Sequence, residues 1–171
     1  FGITINMNSG KLYITATPIG NLSDITLRAI ETLKQVGLIL CEDTRVTKRL
    51  LDRYEIKTPV LSYHQHSDDK KVKEIAQKLE QGNDLALVTD AGTPGISDPG
   101  NKLIEELIKN NQELEIIPIP GASALASVLS ISGFPTDKFI FLGFPPHKNK
   151  RQKYFKELAE NIYTVVFYES S

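Results

Sequence analysis

One cysteine in 171 residues, Cys41, leaves no room for an internal disulfide framework and suits a reducing cytoplasm. No apolar run approaches the roughly 18 residues needed to cross a bilayer. No basic-then-apolar leader opens the chain either, so neither a membrane span nor a secretion signal is expected. The formal net charge of −1 excludes a strongly basic nucleic-acid binder but allows a local basic patch. Internal repeats and low-complexity tracts are absent. Met7 is the sole methionine and stands just before the first apolar run, so residues 1–10 read as a leader or tag remnant. Two nucleotide signatures are also missing: no G-x-G-x-x-G follows the first apolar run, and there is no G-x-x-x-x-G-K-[ST].

What is present is an ordinary globular composition, 40% apolar and 24% charged. Short apolar runs alternate with 3.6-periodic segments. Strands are expected at Leu12–Ala16, Leu38–Cys41, Val60–Tyr63, Leu85–Thr89 and Leu114–Ile117. Helices are expected near Asp24–Gln35, Thr47–Tyr54, Asp68–Gln81, Asn101–Asn111 and Ala122–Ser132, each with an apolar stripe such as Leu27, Ile30 and Leu33. This alternation implies an α/β fold: a mainly parallel five-stranded sheet with helices on both faces. The pattern changes around Gly133–Thr136. A strand at Lys138–Phe144, a helix near Gln152–Glu160 and a strand at Tyr163–Tyr168 follow, the start of a second α/β domain. The expected division is therefore a domain over residues 11–134 and the beginning of another over residues 135–171. A single strand–helix–strand unit cannot bury its own core, so this second domain is expected to be cut short.

Four loops follow the predicted strand ends: Thr17-Pro-Ile-Gly-Asn-Leu22, Glu42-Asp-Thr-Arg45, Asp90-Ala-Gly-Thr-Pro-Gly-Ile-Ser-Asp-Pro-Gly100 and Pro118-Ile-Pro-Gly-Ala-Ser123. The third carries three glycines and two prolines in eleven residues, which suits a rigid, shaped loop rather than core. Parallel topology places all four on one rim, where open α/β sheets bind their ligands. The loops are poor in Lys and Arg, so a polyphosphate is not the expected guest. Backbone groups, small side chains and a few carboxylates suit a ligand held by main-chain hydrogen bonds.

Together these four segments resemble the tetrapyrrole methylase superfamily. Its members are class III, S-adenosylmethionine-dependent methyltransferases with two α/β domains and the cofactor in the cleft between them. The pairing of Glu42-Asp-Thr-Arg45 with Asp90-Ala-Gly-Thr-Pro94 is similar to one branch, ribosomal RNA small subunit methyltransferase I, which methylates a cytidine 2′-hydroxyl. The resemblance runs from Lys11 to Ser171, and Tyr168-Glu-Ser-Ser171 matches the start of that branch's Tyr-Glu-Ser-x-His-Arg motif. It implies S-adenosylmethionine as cofactor, 16S ribosomal RNA in the small ribosomal subunit as partner, a homodimer and a cytoplasmic location. It also implies that Asp90, Ala91, Gly92, Thr93, Ile96, Ser97, Gly121, Ala122 and Ser123 hold the cofactor, with Pro18 and Gly20 on the cleft floor. Two alternatives stay open: a small-molecule methylase acting on a tetrapyrrole, and a non-catalytic cofactor-binding module associated with the ribosome.

The chemistry is consistent with these roles. Carbonyls and a carboxylate such as Asp90 stabilise a cationic sulfonium. A ribose 2′-hydroxyl is a weak nucleophile that a positioned base would help. Glu42 and Asp43 are the candidates for that base, with Arg45 as an orienting or phosphate-contacting group. The same three residues also suit a helix cap and its ion pair. Asp98 likewise reads as a cap or as part of the site. His64 and His66 lack a third ligand nearby, so no metal is expected, and they read instead as rim residues facing substrate. Cys41 ends an apolar strand and reads as a small buried hydrophobe. The run His147–Lys153 carries four Lys or Arg in seven residues. Within it Lys148, Lys150 and Arg151 are either a solvated face or the RNA phosphate contact.

Overall fold

The computed structural model describes residues 9–64, 67 and 69–169. Met7 and His66 lie outside these residues. The chain divides into two compact units at Ser123/Ala124. The first contains strands β1 (Leu12–Thr15), β2 (Leu38–Cys41), β3 (Val60–Ser62), β4 (Leu85–Leu87) and β5 (Ile116–Ile119). Between them run α1 (Leu27–Gln35), α2 (Thr44–Arg53), α3 (Asp69–Glu80) and α4 (Gly100–Asn110), with a 3₁₀ turn at Leu22–Asp24.

The five strands form one sheet in the order β3-β2-β4-β1-β5, and every neighbouring pair is parallel. From β1 to β3 the chain moves toward one edge, and from β3 to β5 it moves back. Right-handed crossovers then place the first two helices on one face and the next two on the other. The core residues separate accordingly. On one face Leu40, Leu85 and Leu87 pack with Val72, Ile75 and Leu79 of α3 and Leu103 and Leu107 of α4. On the other Ile39, Cys41, Ala86 and Val88 pack with Leu33 of α1 and Leu51 of α2. Both faces are covered, as the continuously apolar strands predict. Each fully buried leucine or isoleucine, such as Ile75 or Leu103, contributes about 1.5–3 kcal/mol.

Two element boundaries differ from the sequence reading in ways that matter for the site. Strand β5 lies at Ile116–Ile119, not Leu114–Ile117, and so runs through Pro118. A proline is tolerated there because β5 is an edge strand bonded only to β1. Helix α2 starts at Thr44, earlier than the expected Thr47, because the Asp43 side chain accepts the N–H of Arg45 and caps it.

The second unit contains α5 (Ala124–Ser132), β6 (Phe139–Phe141), a 3₁₀ turn (Lys148–Lys150), α6 (Arg151–Ala159) and β7 (Thr164–Val166). Strands β6 and β7 pair in parallel, as a strand–helix–strand crossover requires. No residue of β6, α6 or β7 is fully buried. The unit is held instead by edge-on aromatic contacts: Phe141 with Tyr168 at 4.8 Å, Phe155 with Phe167 at 5.4 Å.

Candidate active site

Parallel topology brings the carboxyl ends of β1, β2 and β4 together, and the loops leaving them are tied to each other. Thr17, after β1, exchanges two backbone hydrogen bonds with Gly92: its N–H donates at 2.9 Å and its carbonyl accepts at 3.0 Å. The Thr17 hydroxyl also donates to the Thr89 carbonyl at 3.0 Å. Thr93 Oγ1 donates to the Ala122 carbonyl at 3.3 Å, which fixes the β4 loop to the turn after β5. Among the proposed cofactor residues, Gly92, Thr93 and Ala122 thus belong to one bonded frame. Pro18 is buried beside it, and Gly20 is exposed with open space around it.

Glycine is required at two points of this frame. Gly92 has φ +87°, and a Cβ there would lie 3.4 Å from Ile19 Cγ2 and 3.7 Å from the Ala122 carbonyl oxygen. Gly121 sits so close to β1 that a Cβ would come within 2.9 Å of the Ala16 Cβ. Beyond Gly92 the loop closes around Asp98. Both its carboxylate oxygens accept the Gly95 N–H, at 2.9 and 2.8 Å, and Oδ1 also accepts the Gly100 N–H at 2.7 Å. Asp98 therefore anchors the loop and caps the first residue of α4 in one arrangement. Ser97 is held at φ +62°, an uncommon value for a residue with a side chain. Ile96 and Ser97 stand exposed at the tip.

Between this loop and β2 opens a cleft of about 580 Å³, lined by Glu42, His64, Gly95, Ser97, Asp98 and Asn101. That volume falls in the range of small-molecule sites. Glu42 is half-buried in its wall, and Thr89 Oγ1 donates to Glu42 Oε2 at 3.2 Å. Burial, and secondarily the negative charge of Asp90, push the Glu42 carboxyl above the ordinary carboxylate range, while the Thr89 hydrogen bond pulls the other way.

Asp43 has the opposite environment. It accepts the Arg45 backbone N–H at 2.8 Å and pairs with the Arg45 guanidinium through Nη2 at 2.6 Å and Nε at 3.1 Å. These bonds hold its carboxyl at about 2. Its own backbone N–H donates to Asp90 Oδ1 at 3.1 Å. Of the two carboxylates singled out in the sequence, then, Glu42 lines the cleft with its pKa raised and Asp43 is committed to cap and ion pair. Cys41, just before them, is wholly buried, which pushes its thiol up.

Thr89 is not recognisable as a site residue in the sequence, because it ends an apolar strand run and reads as filler; Thr17 opens the first of the four loops, but its role in tying them together is not legible there. His64 reaches the cleft, as a rim residue should. The basic segment belongs to the second unit. There Lys148 and Lys150 are exposed on the 3₁₀ turn, while Arg151 pairs with Glu169 and stacks over Phe155 at 4.9 Å. Lys148, Arg151, Phe155 and Lys156 line an open groove. Lys156 joins it only because α6 brings it one turn below Gln152, which the charge run alone did not indicate.

Residues 11–171 match the family model for Tetrapyrrole (Corrin/Porphyrin) Methylases. The chain is 50% identical to the ribosomal RNA small subunit methyltransferase I of Thermotoga maritima, an alignment that covers 94% of this chain and 72% of that protein. It is also 50% identical to the Synechocystis protein of the same name, over 94% of this chain and 57% of the relative. The chain therefore spans between about half and three quarters of the length of these relatives. Among solved structures, a cobalt precorrin-4 methyltransferase superposes with a TM-score of 0.59 at 18% identity, over 86% of this chain and 62% of that one. A diphthine synthase superposes with a TM-score of 0.71 at 11% identity, over 93% and 64%. At these identities the structural likeness establishes a shared fold.

Proposed function

The chain belongs to the tetrapyrrole methylase family, among its ribosomal RNA small subunit methyltransferase I members, and from that premise we propose that this protein methylates the 2′-hydroxyl of a cytidine in 16S ribosomal RNA, using S-adenosylmethionine. The observation that carries the reading is a glycine-shaped loop and one half-buried carboxylate, Glu42, held by Thr89, lining the same cleft.

The residues present fit the cofactor. Gly92 and Gly95 both sit at positive φ, a backbone shape that glycine adopts at no steric cost. Carbonyl oxygens and the carboxylates of Glu42, Asp90 and Asp98 give the rim a negative character suited to a sulfonium. The cofactor would be held by Asp90, Ala91, Gly92, Thr93, Ile96 and Ser97, by Gly121, Ala122 and Ser123, and over a floor including Pro18 and Gly20. When bound, it supplies an electrophilic methyl group.

This chain's residues then have distinct tasks. Glu42 accepts the proton of the ribose 2′-hydroxyl, and its raised pKa makes it a stronger base than an ordinary carboxylate. Thr89 fixes the orientation of the Glu42 carboxylate by donating to Oε2. Asp43 and Arg45 act as positioning residues, setting the start of α2 against the Asp90 loop. The bonds from Asp43 N–H to Asp90 and from Thr89 to Glu42 hold the β2 side and the β4 loop in register, so that alignment supplies much of the acceleration. Lys148, Lys150 and Arg151 contribute phosphate contacts from the second unit.

Labelled S-adenosylmethionine, incubated with the full-length protein and small ribosomal subunits lacking this modification, tests the reading. It expects an alkali-resistant labelled dinucleotide, the signature of a 2′-O-methyl group. Label that enters a tetrapyrrole and no RNA would replace it with the small-molecule reading.

A further inference from the structure

We infer that the exposed face of α2 is a second RNA-binding surface, a track for the phosphodiester backbone that leads the substrate strand to Glu42. The inference rests on the RNA-methylation reading and adds a surface that neither the motifs nor the basic run of the second unit identifies.

Helix α2 carries four cations, Arg45, Lys48, Arg49 and Arg53, against one carboxylate, Asp52, in a chain whose net charge is −1. All four cations are exposed, while Thr47, Leu50 and Leu51 form the buried side. Arg45, Arg49 and Arg53 recur every fourth residue and so share one row. The helix rises about 15 Å over its length, and its first turn directly follows Glu42 and Asp43. Phosphates bound along this row therefore converge on the proposed base.

Helix stability does not explain this pattern. Only Arg53, in the last turn, suits the helix dipole, Arg45 in the first turn opposes it, and like charges four apart disfavour a helix. Among the described residues, Arg45 alone of the four has an ion-pair partner, Asp43. Among the described residues, Lys48 and Arg49 take part in no ion pair. Arg53 lies 5.6 Å from the Tyr54 ring, a contact that leaves its charge unneutralised. By contrast α4 matches Lys109 with Glu105 at 2.6 Å. Three unmatched cations, Lys48, Arg49 and Arg53, continued toward the candidate site by Arg45, are complementary to a polyanion, and the polyanion the site processes is RNA.

The test measures binding of the full-length protein to protein-free 16S ribosomal RNA and to small subunits between 50 and 200 mM salt. Wild type is compared with the triple variant Lys48→Gln, Arg49→Gln, Arg53→Gln. Arg45 is left intact because it belongs to the site. The expected result on protein-free RNA is a plot of log affinity against log salt that is shallower by about 2, from three lost contacts at about 0.7 each. The KM for RNA should rise with cofactor affinity retained. A charge-preserving variant, Lys48→Arg with Arg49→Lys, should keep the wild-type slope, and the retained cofactor affinity of the triple variant excludes a folding defect in it. An unchanged slope in a wild-type protein that binds and methylates RNA overturns the inference. So does a change seen with small subunits and not with protein-free RNA, which would assign the surface to a ribosomal protein. A wild-type protein that neither binds nor methylates RNA removes the underlying reading, and this inference with it.

Discussion

Thr89 Oγ1 donates to Glu42 Oε2 at 3.2 Å, joining the end of β4 to the loop after β2 and giving the half-buried carboxylate a fixed orientation. Ionised Glu42 is nonetheless disfavoured, because burial and the Asp90 charge act against it more strongly than Thr89 supports it. A carboxyl whose folded-state pKa is raised stabilises the fold only while protonated, so its ionised form is a cost above that pKa. Glu42→Gln should therefore raise the Tm at pH 7 and above. The advantage should shrink as pH falls through the raised pKa and vanish below the ordinary value of 4.5. Melting curves of both proteins across pH 4–8 check this, and a variant less stable than wild type at pH 7 contradicts it.

Asp43 predicts the reverse. Its carboxyl is held down to about 2 by Arg45, so its contribution is present above the unfolded value of 3.8 and is lost as pH falls toward 2. Asp43→Ala removes the cap of α2 and frees Arg45. The variant should melt at a lower temperature at pH 7, and the gap should narrow on acidification through that window. If its kcat at saturating substrate also fell as far as that of a Glu42 variant, Asp43 would be more than a positioning residue.

Gly92→Ala forces a side chain into φ +87° and against Ile19 and the Ala122 carbonyl. The backbone term alone costs about 1–2 kcal/mol. Calorimetric titration with S-adenosylmethionine should show weakened affinity, together with a lowered Tm. Wild-type affinity would remove the loop from the cofactor site.

Asp98→Ala leaves the N–H groups of Gly95 and Gly100 without their acceptor. Loss of such charge-assisted bonds costs about 1.5–3 kcal/mol. Asp98→Asn keeps one acceptor oxygen and should recover part of the loss, which chemical denaturation can resolve.

Much of this was legible in the sequence. Periodicity gave the parallel sheet and the covering of both its faces, because buried strands such as Leu85-Ala-Leu87 are apolar at every position. Glycine and proline placement marked the loops. What escaped depended on tertiary context. Pro118 reads as a strand terminator unless β5 is known to be an edge. Asp43 and Glu42 are adjacent and chemically alike, and only the fold separates them, giving one an arginine and the other a buried wall. Thr89 has no distinguishing mark until β4 lies beside β2 and brings its hydroxyl to Glu42.

The most direct test of the central claim compares wild type and Glu42→Gln, both full length, for methyl transfer from labelled S-adenosylmethionine to 16S ribosomal RNA, with cofactor affinity measured alongside. The account predicts cofactor binding within a few-fold of wild type and a rate lower by about 10²–10⁴, the usual contribution of a positioned general base. Transfer at the wild-type rate with Gln at position 42 would contradict the assignment of this carboxylate as the proton acceptor.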